Sequence, residues 1–320
     1  MNFLDLAADL ATKIDPHIVA PNPRVGCIVV KDGKIIGQGV HEKFGGEHAE
    51  VNAIKDLENI NYCEIYITLE PCDIFPHKKT PSCTDLLIQK TPKKIIVGSL
   101  DPKFGGRNLE KIKKAGIEVE MQLNEKCNSL NPFLEKFVNT GLPYVTVKLA
   151  QSLDGKITGP SRYISNEFSR KKVHEMRAQY SAILTTTETI LQDDPSLDCR
   201  LDGSSNPDLI VVGEREIPKK SKIFSIPNRN IHFFKTHNLE EVLEECGKKG
   251  IDSIMTECGA TVCTDLLQKN LIDEIQLFIA PEIFGKGKNS FTKEVDLTGF
   301  KLVDTKDIGG DVFVKFTRQR

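Results

Sequence analysis

One histidine, one glutamate and two cysteines carry the most chemistry in their spacing. His48-Ala49-Glu50 is followed by Pro71-Cys72 and then by Cys83. An imidazole and two thiolates make up the three protein ligands of a catalytic Zn²⁺, which keeps its fourth position open for water. Glu50, two positions from the histidine, is placed to take a proton from that water and pass it to a leaving amine. The chemistry so indicated is hydrolytic deamination. Two other readings stay open here: Cys72 and Cys83 as small buried residues, or a closed structural zinc site completed by His77 or Cys63. The P-C turn, the strand-like run at 64–69 that delivers it, and Glu50 itself favour the catalytic reading, because a structural site has no use for the acid.

These residues need elements to hold them. Phe3, Leu6, Ala7 and Leu10 recur at helical spacing, which predicts an amphipathic helix over 3–13. Residues 25–30 and 35–40 flank Lys31-Asp32-Gly33-Lys34, whose Asp-Gly pair signals a hairpin. After Gly45-Gly46 a helical run (Val51, Ala53, Ile54, Leu57) puts His48 and Glu50 in its first turn, near a positive dipole end. A strand at 64–69, a helix at 84–90, a strand at 94–98, a helix from 109 to Gly116 and a strand at 117–119 complete an α/β unit. Gly141-Leu142-Pro143 reads as a boundary, giving domains of 1–142 and 143–320. Beyond it, strands are expected at 144–150, 182–185, 208–212, 231–234, 253–256, 274–279 and 311–317, with helices at 167–180 and 262–269. The strand at 253–256 runs into Glu257-Cys258-Gly259-Ala260-Thr261, a strand-to-helix turn of small residues that would let backbone N–H groups cradle a phosphate. Glycine at such a turn also serves purely backbone ends.

Composition bounds the rest. A chain of 320 residues exceeds the size at which one core stops growing, so more than one domain is expected. Lys and Arg (43) balance Asp and Glu (45), so no basic face is advertised and a small molecule, not DNA or tRNA, is the expected partner. Nine scattered cysteines, an odd number, fit a reducing, cytoplasmic setting. Residues 1–10 carry acids among their apolar positions, and no run approaches the roughly 20 apolar residues of a membrane span, so neither export signal nor anchor is expected.

Taken together the motifs resemble one family, the bifunctional riboflavin-biosynthesis deaminase/reductases. The first half matches at Pro21-Asn22-Pro23-x-Val25-Gly26, Gly45-Gly46-x-His48-Ala49-Glu50-Val51, Thr68-Leu69-Glu70-Pro71-Cys72 and Thr80-Pro81-x-Cys83. The second matches at Lys148-Leu149-Ala150-x-Ser152-Leu153-Asp154-Gly155-Lys156, His174-x-x-Arg177-Ala178, Thr189-Ile190-Leu191-x-Asp193-Asp194-Pro195-x-Leu197-x-x-Arg200, Glu257-x-Gly259-Ala260-Thr261 and Ile279-Ala280-Pro281. The resemblance implies an α/β chain: an N-terminal cytidine-deaminase-like three-layer α/β/α domain and a C-terminal dihydrofolate-reductase-like domain. It also implies a homo-oligomer.

The implied activity has two steps on a phosphorylated pyrimidine. The first domain would hydrolyse the 2-amino group of a diaminopyrimidinone ribosylamine 5′-phosphate, and the second would reduce its ribosyl group to ribityl with hydride from NADPH. By motif position, His48, Cys72 and Cys83 would hold Zn²⁺, Glu50 would shuttle protons and Asn22 would contact the substrate. Lys156, Ser161, Arg177, Leu197, Arg200 and Glu257 would meet the substrate of the reductase, with the arginines gripping phosphate and a Lys–Glu pair near the sugar. Ala150, Tyr163, Thr189, Asp193 and Gly259, Ala260, Thr261, Val262, Cys263, Thr264 and Asp265 would hold NADPH. The chain departs from the family's pattern at the longer loop Asp73–Ser82, the shorter loop Ile157–Pro160, Tyr163, Glu188, Cys258 and Val212-Gly213-Glu214-Arg215. These departures keep a second reading in view, a deaminase whose reductase-like domain has lost hydride transfer. A third, a nucleic-acid base deaminase, is disfavoured because those enzymes place their zinc cysteines as C-x-x-C.

Overall fold

The computed structural model describes residues 2–19, 22–74, 81–161, 163–201 and 205–319, so Pro21, His77 and Thr80 of the motifs above lie outside the described residues. The chain divides into two compact units, Met1–Thr140 and Gly141–Arg320.

In the first unit, α1 (Phe3–Ala11) and α2 (Pro16–Val19) precede the hairpin β1 (Gly26–Lys31) and β2 (Lys34–Val40). Then come α3 (Ala49–Ile54), β3 (Glu64–Ile67), α4 (Cys83–Lys90), β4 (Lys94–Val97), α5 (Arg107–Lys114), β5 (Glu118–Met121), α6 (Glu125–Asn128) and α7 (Pro132–Thr140). The sheet order is β2-β1-β3-β4-β5, antiparallel across β2, β1 and β3 and parallel from β3 to β5. Strand alternation sends Cys27, Val29, Ile65, Ile67, Ile95 and Val97 to the core shared with α3, α4 and α5. Ile28, Val30, Tyr66 and Ile96 face α1 and α6 on the other side. Helices on both faces make this a three-layer α/β/α unit.

Asp32 and Gly33, at φ 49° and 73°, close the hairpin as the Asp-Gly signal predicts. Two further glycines of β2 decide where the site can be. A Cβ on Gly37 would lie 2.3 Å from the Ala53 carbonyl oxygen, and one on Gly39 2.3 Å from that of Ala49, so α3 rests on bare strand backbone. Gly26 does the same for α1, where a Cβ would meet the Ala7 carbonyl oxygen at 2.0 Å. That closeness corrects the expected stripe of α1: its buried residues are Leu4, Ala7, Ala8 and Ala11, with Phe3, Leu6 and Leu10 packing at the flank. Alanines face the strand because a larger side chain would hold the helix off it.

The second unit runs β6 (Tyr144–Ser152), α8 (Glu167–Arg177), β7 (Ala182–Thr186), α9 (Thr187–Asp193), β8 (Asp208–Val212), β9 (Ile231–Phe234), α10 (Leu239–Lys248), β10 (Ser253–Thr256), α11 (Ala260–Gln268), β11 (Glu274–Ala280), β12 (Phe300–Ile308) and β13 (Asp311–Arg318). Its sheet has the order β12-β13-β11-β6-β10-β7-β8-β9, parallel from β11 to β9, with β13 and β12 added antiparallel at the other edge. Interior strands β6, β7, β8 and β10 are buried nearly throughout, as parallel strands covered on both faces must be. Several elements were not expected from sequence. The α9 helix begins in a run of threonines that continues the strand-like composition of β7, and it forms because Thr186 caps it, accepting from Thr189 N at 3.1 Å. The β12 strand is exposed along most of its length and so has no alternating signature. Among the described residues, no helix is long and apolar enough to cross a membrane.

The α3–β2 contact generates a prediction. Gly39→Ala forces α3 off the strand at a cost of about 1–3 kcal/mol, typical of an overpacked core. Thermal denaturation should show a lowered midpoint, and metal analysis a lowered zinc content. A variant with wild-type values for both would mean that α3 is free to shift without harm to the site.

Candidate active sites

In the first unit three elements deliver three ligands to one point. His48 is the N-terminal cap of α3, with extended backbone (φ −76°, ψ 162°), and its carbonyl oxygen accepts from Asn52 N at 3.0 Å. Cys83 opens α4, whose cap Ser82 accepts from Asp85 N at 3.0 Å. Cys72 lies in the turn after β3. His48 Nδ1 is 3.2 Å from Cys72 Sγ and 3.4 Å from Cys83 Sγ, and the three donor atoms all fall within 4.8 Å of one another. Bonds of about 2.1 Å to nitrogen and 2.3 Å to sulfur would set tetrahedral N···S separations near 3.6 Å, so the donors fit Zn²⁺ with a few tenths of an ångström of opening. Among the described residues no fourth ligand joins them; Cys63 is buried in the core beside Ile60 and Ile65.

The P-C turn is held by residues that spacing alone did not single out. Glu70 is 2% exposed, and its carboxylate accepts from Gly106 N at 2.8 Å and Asn108 N at 3.0 Å, capping α5. Asn108 Nδ2 and Thr84 Oγ1 donate in turn to the Pro71 carbonyl, and Thr84 N donates to that of Cys72. Hydrogen bonding from Cys83 and then His48 favours the Cys72 thiolate. Burial, followed by that thiolate, pushes the carboxyl of Glu50 up to about 7. A buried carboxyl poised near neutrality is suited to accept a proton and return it. His41, also missed from sequence, is 2% exposed with its ring edge-on to that of His48, centroids 5.1 Å apart. Its Nδ1 lies 2.9 Å from the Glu47 carbonyl oxygen, which only accepts, so Nδ1 carries the proton of the neutral ring. Nε2 then accepts from Asn22 Nδ2 at 3.1 Å, which fixes which way the Asn22 amide faces.

In the second unit Glu257, just past the C-terminal end of β10, Lys148 on the adjacent strand β6 and Arg177 form a buried charge cluster. Arg177, at the end of α8, forks onto Glu257 through Nε (2.5 Å) and Nη2 (2.9 Å), while Nη1 donates to the Asp198 carbonyl at 2.8 Å. Lys148 Nζ lies 3.6 Å from Glu257 Oε2, and all three side chains are at most 15% exposed. The Arg177 and Lys148 cations overcome burial and hold the carboxyl of Glu257 down to about 2. The Lys148 ammonium is lowered as well, because desolvation outweighs its looser contact with Glu257.

The structure adds partners for two of the expected residues. The lysine beside Glu257 is Lys148, whereas Lys156 donates to Asn289 Oδ1 at 2.5 Å. Arg177 has its fork committed to Glu257, so the exposed arginine of the group is Arg200, bonded to Asp198 Oδ1 (3.1 Å) and Ser196 Oγ (3.0 Å). A charged residue inside the otherwise apolar run Tyr144–Ala150 was the available signal for Lys148.

Around this cluster Asp194, Leu197 and Arg200 all adopt left-handed backbone, at φ 40°, 52° and 51°. Such conformations are unfavourable for side-chain-bearing residues and collect at functional segments. The α11 helix starts at Ala260, two residues earlier than expected, and Gly259 caps it without a side-chain bond. Its first-turn N–H groups thus remain without a side-chain cap and suited to an anion. Of the expected cofactor run, Cys263 and Thr264 turn inward: Cys263 joins the core, and Thr264 Oγ1 donates to the Ala260 carbonyl at 2.7 Å while accepting from Thr292 N. Asp265 pairs with Lys269. Half-buried Ala150 on β6 sits opposite Phe278, and Thr189 N is the donor to the α9 cap. Asp193 ends α9 on the surface. Ser161 Oγ donates to the Tyr163 carbonyl, and the exposed Tyr163 ring carries Arg170 over its face at 4.6 Å. Glu188 and Arg215, two of the departures from the family pattern, form an ion pair with each other.

The Glu257 cluster makes acid stability testable. Its folded value of about 2 lies below the roughly 4.3 of an unfolded glutamate, so its contribution is full above about pH 4.3 and is lost as pH falls toward 2. Glu257→Gln should be about 3–5 kcal/mol less stable at neutral pH, because two buried cations lose their counter-charge. Urea denaturation should also show a smaller stability loss in this variant than in wild type as pH falls through that window. Equal slopes would contradict the bridge.

The comparisons with known proteins cover both units. The model of the cytidine and deoxycytidylate deaminase zinc-binding region matches residues 1–99, and that of the RibD C-terminal domain matches residues 143–314. A riboflavin biosynthesis protein RibD from Actinobacillus pleuropneumoniae is 34% identical over 92% of this chain and 89% of its own. The crystal structure of a diaminohydroxyphosphoribosylaminopyrimidine deaminase/5-amino-6-(5-phosphoribosylamino)uracil reductase from Thermotoga maritima is 34% identical, covers 99% of this chain and 97% of that one, and superposes with a TM-score of 0.88. RibD from Acinetobacter baumannii gives a TM-score of 0.89 at 29% identity, over 99% of this chain and 98% of that one. A chain with a zinc-ligand cluster in one unit, a charge cluster at interior strands of the other, and full-length likeness to these enzymes belongs to the RibD family of bifunctional riboflavin-biosynthesis deaminase/reductases, hydrolase and oxidoreductase in one polypeptide.

Proposed function

We propose that the first unit deaminates 2,5-diamino-6-ribosylamino-4(3H)-pyrimidinone 5′-phosphate and that the second reduces the ribosyl group of the product to ribityl, with NADPH as hydride donor. The observation that carries the first step is the convergence of His48, Cys72 and Cys83 beside buried Glu50. Bound there, Zn²⁺ would supply Lewis acidity that lowers the pKa of a water in the open position toward neutrality. Glu50, buried beside the three ligands, would carry the proton of the hydrolysis, taking it from the attacking water and giving it to the exocyclic nitrogen as the C–O bond forms, the C–N bond breaks and ammonia leaves. Asn22, oriented by His41, contacts the heterocycle.

For the second step, Glu257 is kept ionised by Arg177 and Lys148, and it would bond sugar hydroxyls. Arg200, with the strained segment around Leu197, would meet the phosphate, and Lys156 and Ser161 would complete the substrate side. The cofactor would lie along Ala150, Tyr163, Thr189, Asp193 and the first turn of α11, its phosphates facing the N–H groups after Gly259. Family membership further supports a homo-oligomer working in the cytoplasm; light scattering of the purified protein tests the first.

The deciding experiment follows ammonia release and NADPH oxidation together on zinc-loaded protein. Wild type should release ammonia first and then consume NADPH. Glu50→Gln should keep its zinc and lose ammonia release by at least about a hundredfold, while still oxidising NADPH when given the deaminated intermediate. Loss of metal in that variant would instead make Glu50 a ligand. Chelation should abolish the first activity and spare the second. Ammonia without NADPH oxidation, with wild type, would mean that the second unit has lost hydride transfer.

A further inference from the structure

The turn from β10 into α11 holds a feature that neither step uses. Cys258 and Cys263 lie on either side of Gly259, and the turn brings their sulfurs to 3.7 Å. Cys263 is fully buried near the start of α11, whereas Cys258 is half-buried. Sulfurs already in van der Waals contact need an approach of only about 1.7 Å to reach disulfide length. The cysteines Cys72 and Cys83 also lie close together, but they belong to the metal site.

We propose that Cys258 and Cys263 form a reversible disulfide that shuts off the reductase, with hydrogen peroxide as the oxidant. The consequence for activity rests on the reading that this turn receives the cofactor. Cys258, the less buried of the two, attacks the O–O bond and becomes a sulfenic acid as one water leaves; the Cys263 sulfur then displaces the sulfenic oxygen as a second water. Two S–H bonds and one O–O bond break, one S–S and two O–H bonds form, and the two electrons pass to the peroxide. The hydrogen bond between the two sulfurs, then burial, raises the Cys258 thiol well above its usual range, so little thiolate is present and oxidation is slow. Closing the bond draws Cys258 toward the helix, and with it the neighbours on either side: Glu257, fixed by Arg177, and Gly259, the cap of α11.

The test uses the full-length, zinc-loaded protein exposed to hydrogen peroxide. Trypsin releases residues 250–269 as one peptide containing both cysteines, which should lose two hydrogens on oxidation and regain them with dithiothreitol. Over the same course, reduction of the deaminated substrate should fall about tenfold to a hundredfold, the usual effect of displacing positioning groups by about 1 Å. Ammonia release, measured in parallel, should hold steady, which controls for damage to the zinc ligands. Cys258→Ala should keep its reductase rate in peroxide, and prior addition of NADPH should slow both changes in wild type. A peptide that keeps both thiols while the rate falls overturns the proposal, as does a disulfide that leaves the rate unchanged. If the disulfide forms and the rate falls without protection by NADPH, the switch stands and the placement of the cofactor at this turn is what fails.

Discussion

The deaminase half of this molecule depends on bringing one imidazole and two thiols within 4.8 Å when they come from three different places in the chain. Three soft donors at that spacing repel or collapse on one another unless each is fixed from behind. The fixing is done by backbone: α3 lies on glycines of β2, the P-C turn is hydrogen-bonded through Asn108 and Thr84, and Cys83 begins a capped helix. Glu70 is the quiet member of this set. Its buried carboxylate satisfies the start of α5, where Gly106 offers no side chain, and so locks the loop that holds Cys72. Packing and backbone hydrogen bonds thus hold the three donors together, and Glu50 is buried by the same packing that positions His48.

The reductase half solves a different problem, that of keeping a carboxylate ionised in a place largely closed to water. Glu257 stands at the end of an interior parallel strand, where the edge-wise neighbours are Lys148 on one side and, across the turn, Arg177. Two cations around one anion leave the cluster with a net positive charge, which suits a site that receives phosphate-bearing molecules. The bidentate fork of Arg177 does the ordering, since planar guanidinium matches carboxylate, whereas Lys148 sits farther off as a point charge. The site lies at the C-terminal ends of parallel strands, where α/β sheets open a crevice and helix N-termini point their N–H groups outward.

Much of this was legible in the sequence, for identifiable reasons. The zinc ligands, Glu50, the Asp-Gly hairpin and the apolar interior strands are local patterns: residue types at short spacing, or runs whose periodicity declares their burial. Fold class and family follow from the order of such motifs along the chain. Contacts across long separations were not legible. Nothing near Glu257 in sequence says that its partner is Lys148 and not Lys156, because that depends on β6 and β10 being neighbours in the sheet. Likewise the role of Glu70 needed α5 to return over the turn, and that of His41 needed Asn22 and His48 brought to either side of it. The stripe of α1 shifted because Gly26 lets the helix approach until only alanine fits, a steric fact of the packed pair and not of the helix. Sequence alone thus determined which chemical groups this protein owns and the local elements that carry them. The tertiary structure decided which groups meet, which are stripped of water and which charge faces which, since those are set by distances between segments that the linear order does not fix.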